Sequence, residues 1–198
     1  MCAAERLFCP PSERISAVLL AEELKKKLGK VERVVLAAGD NFPDALSVAR
    51  LAAKKGWAIL LTPQVGTLPK VTADEIGALG VTQGLIVGTR VKLPAQVTTV
   101  RSLVGTDRYD TSAQVAAYAK SMGLSFKHVA LAKGHNYPDA LVVAPYLARD
   151  GGILLLSTLT ALPNPIRDVL IANAGEIRTL DFVGLGPTIQ PVVKGIMK

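Results

Sequence analysis

The chain has 198 residues, 49% apolar and 20% charged, a balance that excludes an intrinsically disordered chain and allows one or two globular domains. Its formal charge is +7, with 13 Lys/Arg against 9 Asp/Glu in residues 1–98 and 10 against 7 in residues 99–198. That excludes a basic tail and leaves an evenly cationic surface suited to polyanions such as nucleic acid, acidic glycopolymers or anionic lipid, unless the charge serves solubility alone.

Aromatic residues are 5% of the chain, so the core must be built from Ala, Val, Leu and Ile. Mean hydropathy is positive, but the most apolar stretch, residues 140–162, is interrupted by Arg149, Asp150, Gly151 and Gly152, and no uninterrupted spanning helix is predicted. The two cysteines, Cys2 and Cys9, form neither a disulfide framework nor a CxxC site. Residues 1–6 lack a charged start followed by an apolar run, so the chain is either intracellular or begins after a removed leader.

The elements follow one rhythm, written twice. Residues 12–28 read as a helix, residues 34–38 as a strand, and Gly39 opens a polar turn. The helix that follows carries Ala45, Ala49 and Ala52 on one stripe. A second strand is predicted at 58–61, a helix after Pro69 and a third strand at 85–87. The same order returns as a helix over 110–122, a strand over 129–132, Gly134 and its turn, and a helix bearing Ala140, Ala144 and Leu147. A strand over 153–156, a helix after Pro163 and a strand over 180–183 complete it. Pro145 is expected to kink its helix or end it early.

The repeat is literal. VVLAAGDNFPDALSVARLAAKKGWAILLT (34–62) and VALAKGHNYPDALVVAPYLARDGGILLLS (129–157) share 15 of 29 positions at an offset of 95 without a gap. Internal duplication at a fixed period marks a repeat architecture. At the same offset Arg6 aligns with Arg101. Two modules, 1–98 and 99–198, are expected. Short continuous apolar runs alternating with helices predict parallel strands buried on both faces, in two tandem three-layer α/β modules.

Each module places Gly-x-Asn-[Phe/Tyr]-Pro-Asp-Ala-Leu between a strand and a helix, the end of an open α/β sheet at which ligands bind. Asn41 and Asn136 suit a helix N-cap, and Pro43, Pro138, Asp44 and Asp139 suit a first turn. A structural helix start accounts for the whole turn. A ligand role also stands, although a carboxylate there occupies the place a phosphate would take. Dinucleotide, P-loop and nucleophile-elbow signatures are missing, and no cofactor is implied. His128 and His135 have no counterparts in the first module, read as structural or solvent-facing side chains, and show no metal-ligand spacing.

The remaining candidates are cations. Arg108 stands just before a helix, Arg14 holds the similar place in the first module, and Arg90 follows the third strand. Arginine forks bind phosphate or carboxylate, and pairing of Arg108 with Asp107 or with Asp44-type carboxylates is the equal alternative.

These features resemble the cell wall binding repeat 2 family of clostridial and related cell-surface proteins. They are Arg108-Tyr-Asp-Thr-Ser-Ala113, Gly134-His-Asn-Tyr-Pro-Asp-Ala-Leu141, 153–156 and Val183-Gly184 in one module, and Gly39-Asp-Asn-Phe-Pro-Asp-Ala-Leu46, 59–62 and Val87-Gly88 in the other. The resemblance implies a Toprim-like or Rossmann-like α/β module and a secreted, surface location. It further implies non-covalent, non-catalytic attachment to an anionic secondary cell-wall polymer, with no nucleic-acid or membrane partner. Arg14, Arg90, Arg101 and Arg108 are the polymer-contact candidates. The Ile59–Leu61 and Leu154–Leu156 runs are implicated by the family but read more simply as buried strands. Arg14-Ile-Ser-Ala departs from the family's Arg-Tyr-x-Thr-Ala. Family modules group in threes, so a third module or a homo-oligomer would complete a trimeric arrangement. The rival expectation is a Mg²⁺-dependent phosphoryl-transfer enzyme using Asp44 and Asp139.

Overall fold

Two all-parallel sheets organise the chain in a computed structural model that describes residues 13–135, 138–148 and 151–197. The duplicated apolar runs become β1 (Val34–Ala38), β2 (Ala58–Thr62), β3 (Gln83–Val87), β5 (His128–Lys133), β6 (Ile153–Ser157) and β7 (Thr179–Val183). A further strand, β4 (Thr98–Leu103), begins the second repeat. The helices are α1 (Glu13–Leu28), α2 (Pro43–Lys55), α3 (Lys70–Leu79), α4 (Arg108–Ser121), α5 (Pro138–Ala148), α6 (Asn164–Ala172) and α7 (Ile189–Ile196).

The sheet orders are β2-β1-β3-β4 and β6-β5-β7. Registers repeat as the sequence does: Val34 lies opposite Ala58 and Gly84, and Val129 opposite Ile153 and Leu180. The central strands β1 and β5 are buried on both faces, which is why they read as unbroken apolar runs. In the first sheet Val34, Leu36 and Leu60 join Ala21, Ile76, Leu79 and Val91 in one core cluster. In the second, Ala130, Ala132, Leu154 and Leu156 pack under Ala140, Val143 and Leu147 of α5. Among the described residues no helix is long and apolar enough to cross a membrane.

The compact units do not divide where the sequence repeats divide. Among the described residues, one comprises those in 13–41 and 55–104, the other those in 42–54 and 105–197. Strand β4, from the start of the second repeat, pairs with β3 in the first unit. Helix α2, from the middle of the first repeat, is part of the second unit. There Leu46 packs with the α5 cluster. Ser47, Arg50 and Leu51 line a small apolar gap with Val115, Ala116, Ala119, Leu124, Ile153 and Leu154. Arg50 Nε donates to the Leu147 carbonyl at 3.3 Å, and Lys54 Nζ donates to the Gly123 carbonyl at 2.7 Å.

This placement changes the expected helix stripes. In α2 the buried residues are Pro43, Asp44, Ser47, Val48, Arg50, Leu51 and Ala52, whereas Ala45 and Ala49 are half-buried. A single apolar stripe fits a helix lying on one sheet, and α2 is covered over a wider arc. In α5 the inner stripe is Ala140, Val143 and Leu147, with Ala144 half-buried. Pro145 does not end α5, which continues to Ala148. The proline lies on the exposed side, where water can satisfy the carbonyl that loses its N–H partner.

Leu51 is 1% exposed, so Leu51→Ala should cost roughly 2–5 kcal/mol. Amide exchange should quicken chiefly in α4 and β6 of the second unit. Loss of protection confined to β1 and β2 would contradict the assignment of α2.

Candidate functional site

In the second unit, the carboxyl ends of β5 and β6 and the start of α4 meet around Arg108. Asp107 caps α4 by accepting from the Tyr109 and Asp110 backbone N–H groups, each at 2.8 Å. Asp110 reaches back to the Thr106 N–H at 2.9 Å. Both carboxylates are therefore committed to the helix start.

Arg108 instead donates from Nη1 to the Gly134 carbonyl at 2.6 Å. Its guanidinium carbon stands 6.0 Å from the centre of the Phe42 ring, at the outer limit of a cation–π contact. Among the described residues no carboxylate forms an ion pair with it. The side chain is half-exposed, and one backbone bond leaves most of its donors unused.

Around this arginine the chain is crowded. A side chain at Gly134 would meet Tyr109 Cε1 at 2.9 Å and Leu156 Cβ at 3.4 Å, so only glycine lets the helix start lie this close to the end of β5. Tyr109 Oη lies 3.4 Å from His135 Nδ1. Burial raises the Tyr109 hydroxyl above its ordinary pKa, with Arg108 opposing and Asp107 adding to the shift. Asp44 is buried, and desolvation raises its carboxyl above the usual range while the positive charge of Arg108 opposes the shift. Asp139 is 3.9 Å from Lys133 Nζ. Its carboxylate fills the space that a side chain at Gly184, with φ +65°, would need.

The first unit builds the equivalent end differently. Arg14 Nη2 pairs with Asp40 Oδ1 at 3.1 Å, and Asp40 Oδ2 accepts from the Gln64 backbone N–H at 2.9 Å. Gln64 also accepts, through its carbonyl, the Arg90 backbone N–H at 2.8 Å. Arg14 and Arg90 thus share the carboxyl end of the first sheet. Arg101 stands apart on β4, opposite Leu85 and exposed. Among the described residues neither Arg90 nor Arg101 has a side-chain partner.

Helix α2 begins at Pro43 and α5 at Pro138. The Phe42 carbonyl accepts from the Leu46 N–H at 3.1 Å, which puts Phe42 in the capping place and Asn41 one residue before it. Asn136 lies outside the described residues, as do Cys2, Cys9 and Arg6. Among the described residues no three His, Cys, Asp or Glu side chains converge as a cation site would require.

Residues 15–98 and 102–186 each match the family described as Cell wall binding domain 2 (CWB2). The chain belongs to the CWB2 family. It is similar to "N-acetylmuramoyl-L-alanine amidase LytC" of Bacillus subtilis (strain 168), with 28% identity over 82% of this chain and 33% of that protein. It is also similar to "Amidase enhancer" of the same organism, with 25% identity over 89% of this chain and 24% of that protein. Among solved structures it resembles Cwp8 from Clostridium difficile (TM-score 0.71, 17% identity, 95% of this chain and 33% of that one). Cwp6 from Clostridium difficile is a second such structure (TM-score 0.69, 19% identity, 83% and 27%). The chain spans about a quarter to a third of the length of these proteins.

Within the CWB2 repeat pair, the turn of one repeat serves the arginine of the next, since Phe42, just before α2, and Asp44, in its first turn, lie near Arg108 of the second repeat. Sequence reasoning singled out Asp44 and Arg108 but not Phe42, Tyr109 or Gly134. The aromatic before Pro in both copies of the turn was the available signal. Of the two histidines, His128 is buried with Nε2 2.7 Å from Asp181 Oδ2, and His135 is exposed beside Tyr109.

A raised carboxyl pKa means that folding favours the proton, so the ionised Asp44 costs stability at neutral pH and nothing below the unfolded-state pKa. Asp44→Asn should therefore melt higher than the parent near pH 7, with the gain fading as the pH falls through the carboxylate range. A variant that melts lower at pH 7 would show that the charge is required.

Proposed function

We propose that this CWB2 pair is a non-catalytic anchor that holds an anionic secondary polymer of the cell wall, at the cell surface, through arginines at its module edges. Arg108 carries the reading. It is oriented by the Gly134 carbonyl, backed by Phe42, half-exposed, and without a carboxylate partner among the described residues. A guanidinium held in this way has a fixed direction and donors to spare for phosphate or carboxylate. The net charge of +7 draws such a polymer in from a distance.

The two modules are unequal in this role. Arg14 already pairs with Asp40, and a polymer must displace that carboxylate to reach it. The second module has His135 at the position of Asp40 and contributes Lys133 nearby. Arg108 is thus the principal contact, with Arg14, Arg90 and Arg101 as supporting cations. The repeat pair also associates with a further repeat, whether in a longer chain or in another copy.

Retention on purified cell walls should fall as salt rises, because the attraction is between charges and the screening length is about 10 Å at 0.1 M. It should be lost when the anionic polymer is stripped from the wall. Arg108→Ala should weaken binding about tenfold or more, the scale of a charge-assisted hydrogen bond, with a nearly unchanged melting curve. Equal retention on stripped walls would remove the proposal, and collapse of melting would show that Arg108 is structural.

A further inference from the structure

At the amino end of the first sheet, where its strands begin, stands a second oriented arginine. Arg33 is the residue before β1, and its carbonyl accepts from the Ala58 N–H of β2 at 3.2 Å. Its Nε donates at 2.8 Å to Oε1 of Gln83, the first residue of β3. Its guanidinium carbon stands 5.0 Å from the centre of the Trp57 ring, inside the range of a cation–π contact. Trp57 is 4% exposed, so the ring is a floor and the half-exposed Arg33 is the layer above it. Among the described residues no carboxylate pairs with Arg33, and the N–H groups of its two Nη atoms are unused.

Other cations gather at this end. Lys25, Lys26 and Lys27 close α1, Lys30 follows Gly29, and Lys55 closes α2. A side chain at Gly56, whose φ is +64°, would meet Leu28 Cδ1 at 2.8 Å, so the end of α1 lies against the turn that carries Lys55 and Trp57. Some of these charges are taken. Lys25 Nζ donates to the Ala78 carbonyl at 2.6 Å, Lys26 pairs with Glu23 at 2.6 Å and Lys30 with Glu32 at 3.8 Å. Glu23 and Glu32 are thereby committed. Lys27 and Lys55 have no partner among the described residues, and with Arg33 they leave positive charge unbalanced. The helix dipole accounts for lysines in a last turn, but not for Arg33, which lies outside any helix.

The second repeat lacks this arrangement. At the offset of 95, His128 stands for Arg33, Gly152 for Trp57, Asp150 for Lys55 and Met122 for Lys27. His128 Nε2 lies 2.7 Å from Asp181 Oδ2. A requirement of the shared fold would recur in both repeats. Ring, fork and extra cations occur together in one repeat, which is the pattern of a binding feature rather than of the scaffold.

We infer that Arg33 and Lys55 form a second oxyanion site, at the amino end of the first sheet, which takes the phosphate groups of a linear polyanion. The fork of Arg33 matches two oxygens of one phosphate, and Lys55 and Lys27 supply point charges for the next groups along the chain. The source is the wall polymer, and for that source the inference rests on the anchoring reading above; the site itself does not involve Arg108. Strand β1 has five residues, about 16 Å of extended chain, so no single phosphate serves both Arg33 and the arginines at the carboxyl end of this sheet. A polymer held at Arg33 is therefore held at a further point, and tethered contacts multiply in affinity.

Trp57 is the chain's one tryptophan, so its fluorescence reports on Arg33. Inorganic polyphosphate added to the whole chain at low salt should change that fluorescence to saturation, with an affinity that falls as salt rises. Arg33→Gln and Lys55→Glu should each weaken the titration about tenfold or more. Lys55→Glu leaves the Trp57 floor untouched, so it tests the site whether or not Arg33→Gln loses stability. Lys194→Glu, the same change of charge on exposed α7, should titrate like the parent, and Arg108→Ala should leave the Trp57 signal as it is. A Trp57 signal that ignores polyphosphate, or that responds equally in the parent and Lys55→Glu, overturns the site. A signal that answers to phosphatidylglycerol vesicles and not to polyphosphate assigns the surface to lipid and overturns it too. On purified walls, retention should fall for Lys55→Glu and fall further when Arg108→Ala is added. Parent-like retention of Lys55→Glu beside a loss in Arg108→Ala would remove this attachment point and keep the anchor, and the reverse would remove Arg108 alone.

Discussion

A repeat of about 95 residues makes one sheet and more apolar helix surface than that sheet covers. The constraint is met by exchange: α2 leaves the unit of its own repeat and buries Ser47, Arg50 and Leu51 against α4 and β6 of the next. Repeat architectures gain stability in this way, since each unit is incomplete without a neighbour. The exchange brings Phe42 and Asp44 with it, because they lie at the head of the same helix. Packing and site thus have one cause, and the arginine of the second repeat is furnished by the turn of the first.

The carboxylates around Arg108 are already engaged within the fold. Asp107 and Asp110 are spent on the start of α4, Asp44 is buried where ionisation is costly, and Asp139 fills the hollow at Gly184. The guanidinium of Arg108 is left with backbone and ring contacts that fix its direction without neutralising it. In the other module one substitution, Asp40 at the place of His135, supplies a counter-ion and quiets Arg14. At the offset of 95 Arg14 stands at the place of Tyr109 and Glu13 at the place of Arg108, so the two copies have diverged at the helix start as well as at the turn.

Much of this was legible in the residues. The continuous apolar runs at 34–38 and 129–132 announced parallel strands covered on both sides, and Pro69 and Pro163 marked where helices begin. What could not be read was the address of each buried face. Periodicity shows that Leu51 faces apolar atoms, and it is silent on whether they belong to its own repeat or the next. Strand β4 was hidden for a related reason. Its residues 98–102 are exposed on the edge of a sheet, so they carry no apolar alternation. The partners of Arg108 were hidden because a backbone carbonyl and a distant ring leave no mark in local sequence. Asp107, the neighbour that sequence proximity suggested, is occupied by the helix cap.

The central claim, that a helix of the first repeat is built into the second, is tested most directly by a double-mutant cycle between Leu51 and Val115. Leu51→Ala, Val115→Ala and the double variant would be unfolded in denaturant at one pH. Side chains that share a packed contact should show a coupling of about 0.5–3 kcal/mol, whereas independent sites add within about 0.5 kcal/mol. Coupling in the first range is the expected result. Strict additivity, with both single variants clearly destabilised, would contradict the account.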